Sequence, residues 1–195
     1  VVWIDIARIV VTGVILGAVI GKIVVDRPYY LGRLRPRSWL SIARKMSGRD
    51  WVRLAAIVGI FTAMAFFVVT DVSRLVVMKW QLYSEQEYIF FKLAEVSLPA
   101  LAVAVTVLPI FEEWIFRGIL LEEISRKSRS WLVGLVGSAL IFALFHLSNP
   151  GVFPASVIPM TVAGLILGSC YLLGGLGGAI LSHSLYNAIV VLGLL

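Results

Sequence analysis

The chain has 195 residues, of which 60% are hydrophobic and only 14% charged, with a formal charge of +6 and a mean hydropathy of +0.98. That apolar share exceeds what a soluble domain carries, so the chain reads as a polytopic membrane protein, and the absence of period-two alternation argues against a barrel. The basic residues sit between apolar runs, where they set topology, so nucleic acid is not expected as a partner and the lipid bilayer is.

The fold class expected is all-α, a membrane helical bundle with about six crossings forming a single integral domain over residues 1–195. The chain begins Val1-Val2 rather than Met, which suggests residues upstream. The first apolar stretch, about Ile9 to Val25, holds Gly13, Gly17 and Gly21 on one helix face, a spacing that permits close approach of another helix. Residues 26–50 follow with Arg27, Arg33, Arg35, Arg37, Arg44, Lys45 and Arg49 against Asp26 and Asp50, broken by Pro28, Pro36 and Gly48. An excess of bases marks this segment as cytoplasmic, a topological anchor with some amphipathic character from Trp39, Leu40 and Ile42.

A second crossing is expected from about Leu54 to Met78, with Asp71 and Arg74 paired near its outer end, and then a short polar loop from Trp80 to Glu87. The run from Tyr88 contains Pro99 and Pro109 and ends in the basic Arg126-Lys127-Ser128-Arg129, so it reads as one long, kinked crossing. Lys92 and Glu95 within it form a further expected ion pair, and Glu122 and Glu123 are expected to pair with Arg126 or Lys127. Further crossings run from Trp131 to Leu147, from about Phe153 to Leu173 and from about Ala179 to Leu194, the last two divided by Gly174-Gly175-Leu176-Gly177-Gly178. Cys170 is the only cysteine, so neither an intrachain disulfide nor a thiolate metal cluster is open to the chain.

The chemistry concentrates in Phe111-Glu112-Glu113-Trp114-Ile115-Phe116-Arg117. An ionised side chain in hydrocarbon costs about 2.5 to 3.5 kcal/mol on an insertion scale, so charges there face a cavity, a partner or a substrate. Glu113 and Arg117 lie four apart and can pair, whereas Glu112 points about 100° away and is left for other work. The chain has two histidines, His146 and His183, both in apolar helices. Phe142 precedes His146 by four and can fix its ring; Asn187 follows His183 by four, so the two share a face and can converge on one small group. A base-capable glutamate, two histidines and an asparagine on three helices make a water-activating and oxyanion-binding set.

Glu-Glu-x-x-x-Arg at 112–117, Phe-x-x-x-His at 142–146 and His-x-x-x-Asn at 183–187, in that order, resemble the CaaX protease and bacteriocin-processing family, which includes the Ras-converting type II CaaX prenyl endopeptidases. Pro109 and Phe116-Arg117-Gly118 fit the same pattern, and the resembling core covers about residues 99–190. The resemblance implies an intramembrane, glutamate-dependent endopeptidase without a cofactor or metal, acting on a membrane-associated peptide or protein, prenylated substrates included. It implies that Glu112 activates water with help from His146, that His183 and Asn187 form the oxyanion hole, and that Glu113 and Arg117 orient the site or hold its helices. Such a site needs a polar cavity open to the cytoplasmic side. The short outer loops point to a prokaryotic plasma membrane, with the endoplasmic reticulum as the setting for a eukaryotic source.

Two other readings of the same residues stay open at this point. Glu112, His146 and His183 could form a two-histidine, one-carboxylate zinc set, although the His-Glu-x-x-His helix of common zinc proteases is missing. A non-enzymatic scaffold, immunity or chaperone-like protein could also keep a polar core to hold its helices together.

Overall fold

Local signals in the sequence start and stop most of the helices. In the computed structural model, which describes residues 2–80, 97–149 and 152–194, the chain is helical and no described residue lies in a strand. Helix α1 (Val2–Asp26) is followed by the short α2 (Tyr29–Gly32) and by α3 (Pro36–Lys45), whose first residue is a proline, where the missing N–H costs nothing. Helix α4 (Gly48–Met64) opens on a capping box: Ser47 Oγ accepts from the Asp50 N–H at 3.3 Å, and Asp50 accepts from the Ser47 N–H at 2.8 Å. Its path continues through a π-helical stretch (Ala65–Val69) into α5 (Thr70–Trp80).

Ser97 caps α6 (Leu98–Thr106), which carries Pro99 in its first turn, so Pro99 opens this helix rather than interrupting it. After a break at Val107 come α7 (Leu108–Glu113), a second π-helical stretch (Trp114–Leu121) and α8 (Glu122–Ser128), closed by Arg129 in the left-handed conformation at φ 57°. Ser130 caps α9 (Trp131–His146). The last helix, α10 (Val157–Leu194), is interrupted at Gly175 (φ 67°, ψ −171°), a conformation that glycine adopts without a Cβ clash.

Four helical runs are long and apolar enough to cross a bilayer: Ile6–Asp26, Gly48–Trp80, Leu98–Ser128 and Pro154–Gly193; the shorter Trp131–His146 is also apolar. The expected all-helical membrane class therefore holds, and the chain is an integral membrane protein. A count near six results when α9 and the two halves of α10 are taken separately, and the break at Gly175 between those halves falls where the sequence divides its last two spans. The Lys92–Glu95 pair and the loop after Trp80 lie outside the described residues. Asp71 and Arg74 stand 3.9 Å apart on an exposed surface, a pair at the limit of contact.

Helix α10 is central and packs against α9 and α4, and its neighbours also include α7. Where α9 meets α10 the backbones nearly touch: a Cβ on Gly164 would stand 2.8 Å from Ala139 Cα and 2.9 Å from its Cβ. Helix α1 is different, with only 6% of its apolar window buried against 39% for the last run. No atom stands within 4 Å of a Cβ built on Gly13, Gly17 or Gly21, so that stripe serves no contact among the described residues.

These two settings predict opposite responses to one added methyl. Gly164→Ala should destabilise the protein by about 1–3 kcal/mol through overpacking, whereas Gly17→Ala should change stability by less than about 0.5 kcal/mol. Unfolding of both variants in the same detergent or bicelle system compares them directly.

Candidate active site

Glu113 and Arg117, one turn apart where α7 passes into the π-helical stretch, are both fully buried at 0% exposure. Arg117 Nη1 donates to Glu113 Oε1 at 2.9 Å, Arg117 Nη2 donates to the Gly164 carbonyl of α10 at 3.2 Å, and the guanidinium carbon stands 4.4 Å from the centre of the Phe142 ring on α9. The arginine therefore ties three segments together by an ion pair, a main-chain hydrogen bond and a cation–π contact. The pairing expected from the spacing is formed, and Phe142 has a second task besides its expected place beside His146.

His183 from α10 completes the centre. Its Nδ1 lies 2.8 Å from the same Glu113 Oε1 that Arg117 contacts, and its Nε2 lies 3.7 Å from Glu112 Oε2. A carboxylate oxygen only accepts, so Nδ1 carries the proton and Nε2 faces Glu112. Glu112 keeps 25% of its side-chain surface exposed, against 0% for Glu113. Adjacent in sequence, the two acids thus have different environments, one sealed in the helix packing and one reachable by solvent or substrate.

His146 at the end of α9 is set by its own helix: Nδ1 donates to the Phe142 carbonyl at 2.9 Å and its ring centroid lies 4.2 Å from that of Phe142. With Nδ1–H held by a carbonyl, Nε2 of the neutral ring carries a lone pair. His146 lies within electrostatic reach of Glu112, His183 and Arg117. Asn187, one turn beyond His183, is half-buried and makes no hydrogen bond among the described residues. Among the described residues no three His, Cys, Asp or Glu side chains are placed to hold one metal ion.

Gly174 and Gly178 face Leu54 and Ile57, which lie about 9–14 Å up α4 from Gly48, and between them the chain turns back at the exposed Gly175, so that Gly178 stands beside Cys170. His183 is about 12 Å beyond Gly175, and the Thr62 hydroxyl of α4 donates to Ser182 Oγ at 3.2 Å at that level.

A second polar cluster lies further along the motif helix, around Glu122 and Glu123, and sequence reasoning missed it. Arg33 binds Glu122 through both terminal nitrogens at 2.8 and 2.9 Å, and its Nη1 also donates to the Gly118 carbonyl at 2.9 Å and to Tyr171 at 3.3 Å. Glu122 was expected to pair with Arg126 or Lys127; Arg33 takes it instead, because the basic segment folds back onto this helix. Glu123 does bind Arg126, as expected, and also receives the buried Tyr30 hydroxyl at 2.9 Å and Arg27 at 3.2 Å. Burial, with the hydrogen bonds to Tyr29 and Glu123, pushes the Tyr30 phenol above its ordinary range. Burial opposes the Arg33 charge, but the bonds and charges of Glu122 and Tyr171 outweigh it and raise the guanidinium.

Fold and site together define a polytopic membrane protein with an acid, histidine and arginine centre enclosed by helices from three parts of the chain. Residues 94–189, about half of the chain, match the family described as type II CAAX prenyl endopeptidase Rce1-like, and the chain belongs to that family. Membership makes it a membrane protease, a hydrolase with a protein substrate at the membrane. No curated protein and no solved structure matches it.

The sealed ion pair and the accessible acid should respond differently to substitution. Arg117→Leu, which strands Glu113 without its counter-ion, should cost about 3–5 kcal/mol. Glu112→Gln, at a partly exposed carboxylate whose contact with His183 is a long 3.7 Å, should change stability by less than about 1 kcal/mol. Unfolding of the two variants under identical detergent conditions reads the difference.

Proposed function

We propose that the protein is an intramembrane glutamate-dependent endopeptidase in which Glu112 is the general base. The observation that carries the reading is the convergence on His183: one ring nitrogen on the sealed Glu113 and the other toward the accessible Glu112. Glu112 takes a proton from water, and the resulting hydroxide attacks the scissile carbonyl. His146, with Nδ1 held by a carbonyl, offers its Nε2 lone pair to the same water. The proton on Glu112 then passes to the leaving amine.

The oxyanion is received by Asn187, whose amide donates in every state, and by His183. Because Nδ1–H of His183 is committed to Glu113, its Nε2 can donate only when both nitrogens carry protons. A carboxylate on Nδ1 is the arrangement that steadies an imidazolium: the proton that Glu112 takes from water is passed to Nε2, 3.7 Å away, and returns through Glu112 to the leaving amine. Glu113 and Arg117 hold this ring, and Phe142 supports both Arg117 and His146. The substrate class supported by the family is a membrane-associated protein cleaved near the bilayer, CaaX-type prenylated proteins included. The motif-bearing core is about 99–190 within one domain.

Purified protein in nanodiscs, given a prenylated CaaX peptide, tests the assignment. Glu112→Gln should abolish cleavage, and Asn187→Ala should lower kcat by about 10²–10³. Wild-type rates in Glu112→Gln would remove the base. Activity that is lost on exhaustive chelation and restored by zinc would replace the glutamate mechanism with a metal-dependent one.

A further inference from the structure

Besides Glu123, the residues that hydrogen-bond the segment from Arg27 to Arg33 recur along the helix with a spacing of four. Trp114 Nε1 donates to the Tyr30 carbonyl at 2.9 Å, the Gly118 carbonyl accepts from Arg33 at 2.9 Å, and Glu122 binds the Arg33 fork. Positions 114, 118 and 122 form one row on a helix surface, and Glu113 with Arg117 form the adjacent row about 100° away. The helix is π-helical from Trp114 to Leu121, a stretch whose looser hydrogen bonding does not by itself fix which row faces α10. A turn about its axis by one residue would put the clamped row where Glu113 and Arg117 now stand.

We infer that the segment Arg27–Arg33 is a clamp that sets the rotation of the helix bearing Glu112, Glu113 and Arg117, and that Arg33 is its positioning residue. Arg33 suits the task because one planar group satisfies a main-chain carbonyl inside the π-helical stretch, a carboxylate at its end and, through Tyr171, helix α10. Tyr171 lies in the half of α10 before Gly175 and His183 in the half after it, and the two halves pack side by side where Gly178 meets Cys170, so the clamp ties the motif helix to the neighbour of the histidine-bearing half. Lysine cannot reproduce it, being a single ammonium in place of a fork. The catalytic part of this inference rests on the peptidase reading; the structural part does not.

Two readouts separate those parts. Hydrogen–deuterium exchange of the full chain in nanodiscs should show residues 112–121 exchanging about tenfold faster in Arg33→Gln, with α9 unchanged. With a prenylated CaaX peptide, the same variant should lose about tenfold or more in kcat with KM within about twofold, since small displacements of reacting groups act on turnover. Should Arg33→Gln not fold, Arg33→Lys and Glu122→Gln carry the same two expectations in weaker form. Unchanged exchange over 112–121 overturns the clamp whatever the activity, and faster exchange with unchanged kcat overturns its positioning role. A wild-type protein that cleaved no peptide would overturn the peptidase reading alone, because exchange needs no turnover.

Discussion

A single carboxylate oxygen, Glu113 Oε1, holds the centre of the molecule. It receives Arg117 at 2.9 Å and His183 at 2.8 Å, and through them the motif helix is joined to α10, with Phe142 of α9 covering the guanidinium. Stability does not explain such a cluster, since well-packed apolar groups of similar volume often do as well as a buried ion pair or better. Its cost is visible: Glu113 Oε2 and Arg117 Nε make no hydrogen bond among the described residues. What the arrangement supplies is direction. With Arg117 and His183 on the same oxygen, the imidazole has one orientation, and its second nitrogen faces Glu112.

That direction depends on the helix presenting the right side of itself. Glu112 and Glu113 are neighbours, yet one is sealed and the other a quarter exposed, so a modest rotation would exchange their environments. A regular α-helix resists rotation through side-chain packing on all sides. Here the stretch after Glu113 is π-helical, and it is held from one side by apolar packing around Phe116 and Ile119 and from the other by the Tyr30 and Arg33 contacts. The basic segment between α1 and α4 is consequently more than a topological anchor: Arg27 and Arg33 have specific carboxylate partners, while Arg37, Arg44 and Lys45 remain on the exposed face of α3.

The part of the site legible in the sequence is the part in which polar residues interrupt apolar helices at a spacing of four. Glu113 with Arg117 and Phe142 with His146 are contacts within one helix, and a helical period is enough to place them. Contacts between distant segments carry no such mark. Nothing local distinguishes Arg33 from Arg35 or Arg37, yet the fold puts one of them on Glu122 and leaves the others in solvent. Thr62 with Ser182, and the Gly164 carbonyl that accepts from Arg117, were invisible for the same reason. The glycine run at 174–178 divides the last two spans as the sequence suggests, whereas its packing on Leu54 and Ile57 of another helix leaves no local mark.

The two histidines show how little of their chemistry resides in the residue type. Both use Nδ1 as a donor, but His146 donates to the carbonyl of its own helix and His183 to a carboxylate from another. A neutral carbonyl fixes the tautomer and leaves Nε2 as an acceptor, which suits a ring that takes a hydrogen bond from water. A carboxylate fixes orientation as well and can support positive charge on the ring, which suits one that must donate from Nε2. The same side chain is thus directed to opposite roles by what lies behind it. In this fold the difference traces to Glu113, whose burial depends on Arg117 and on the helix packing around both.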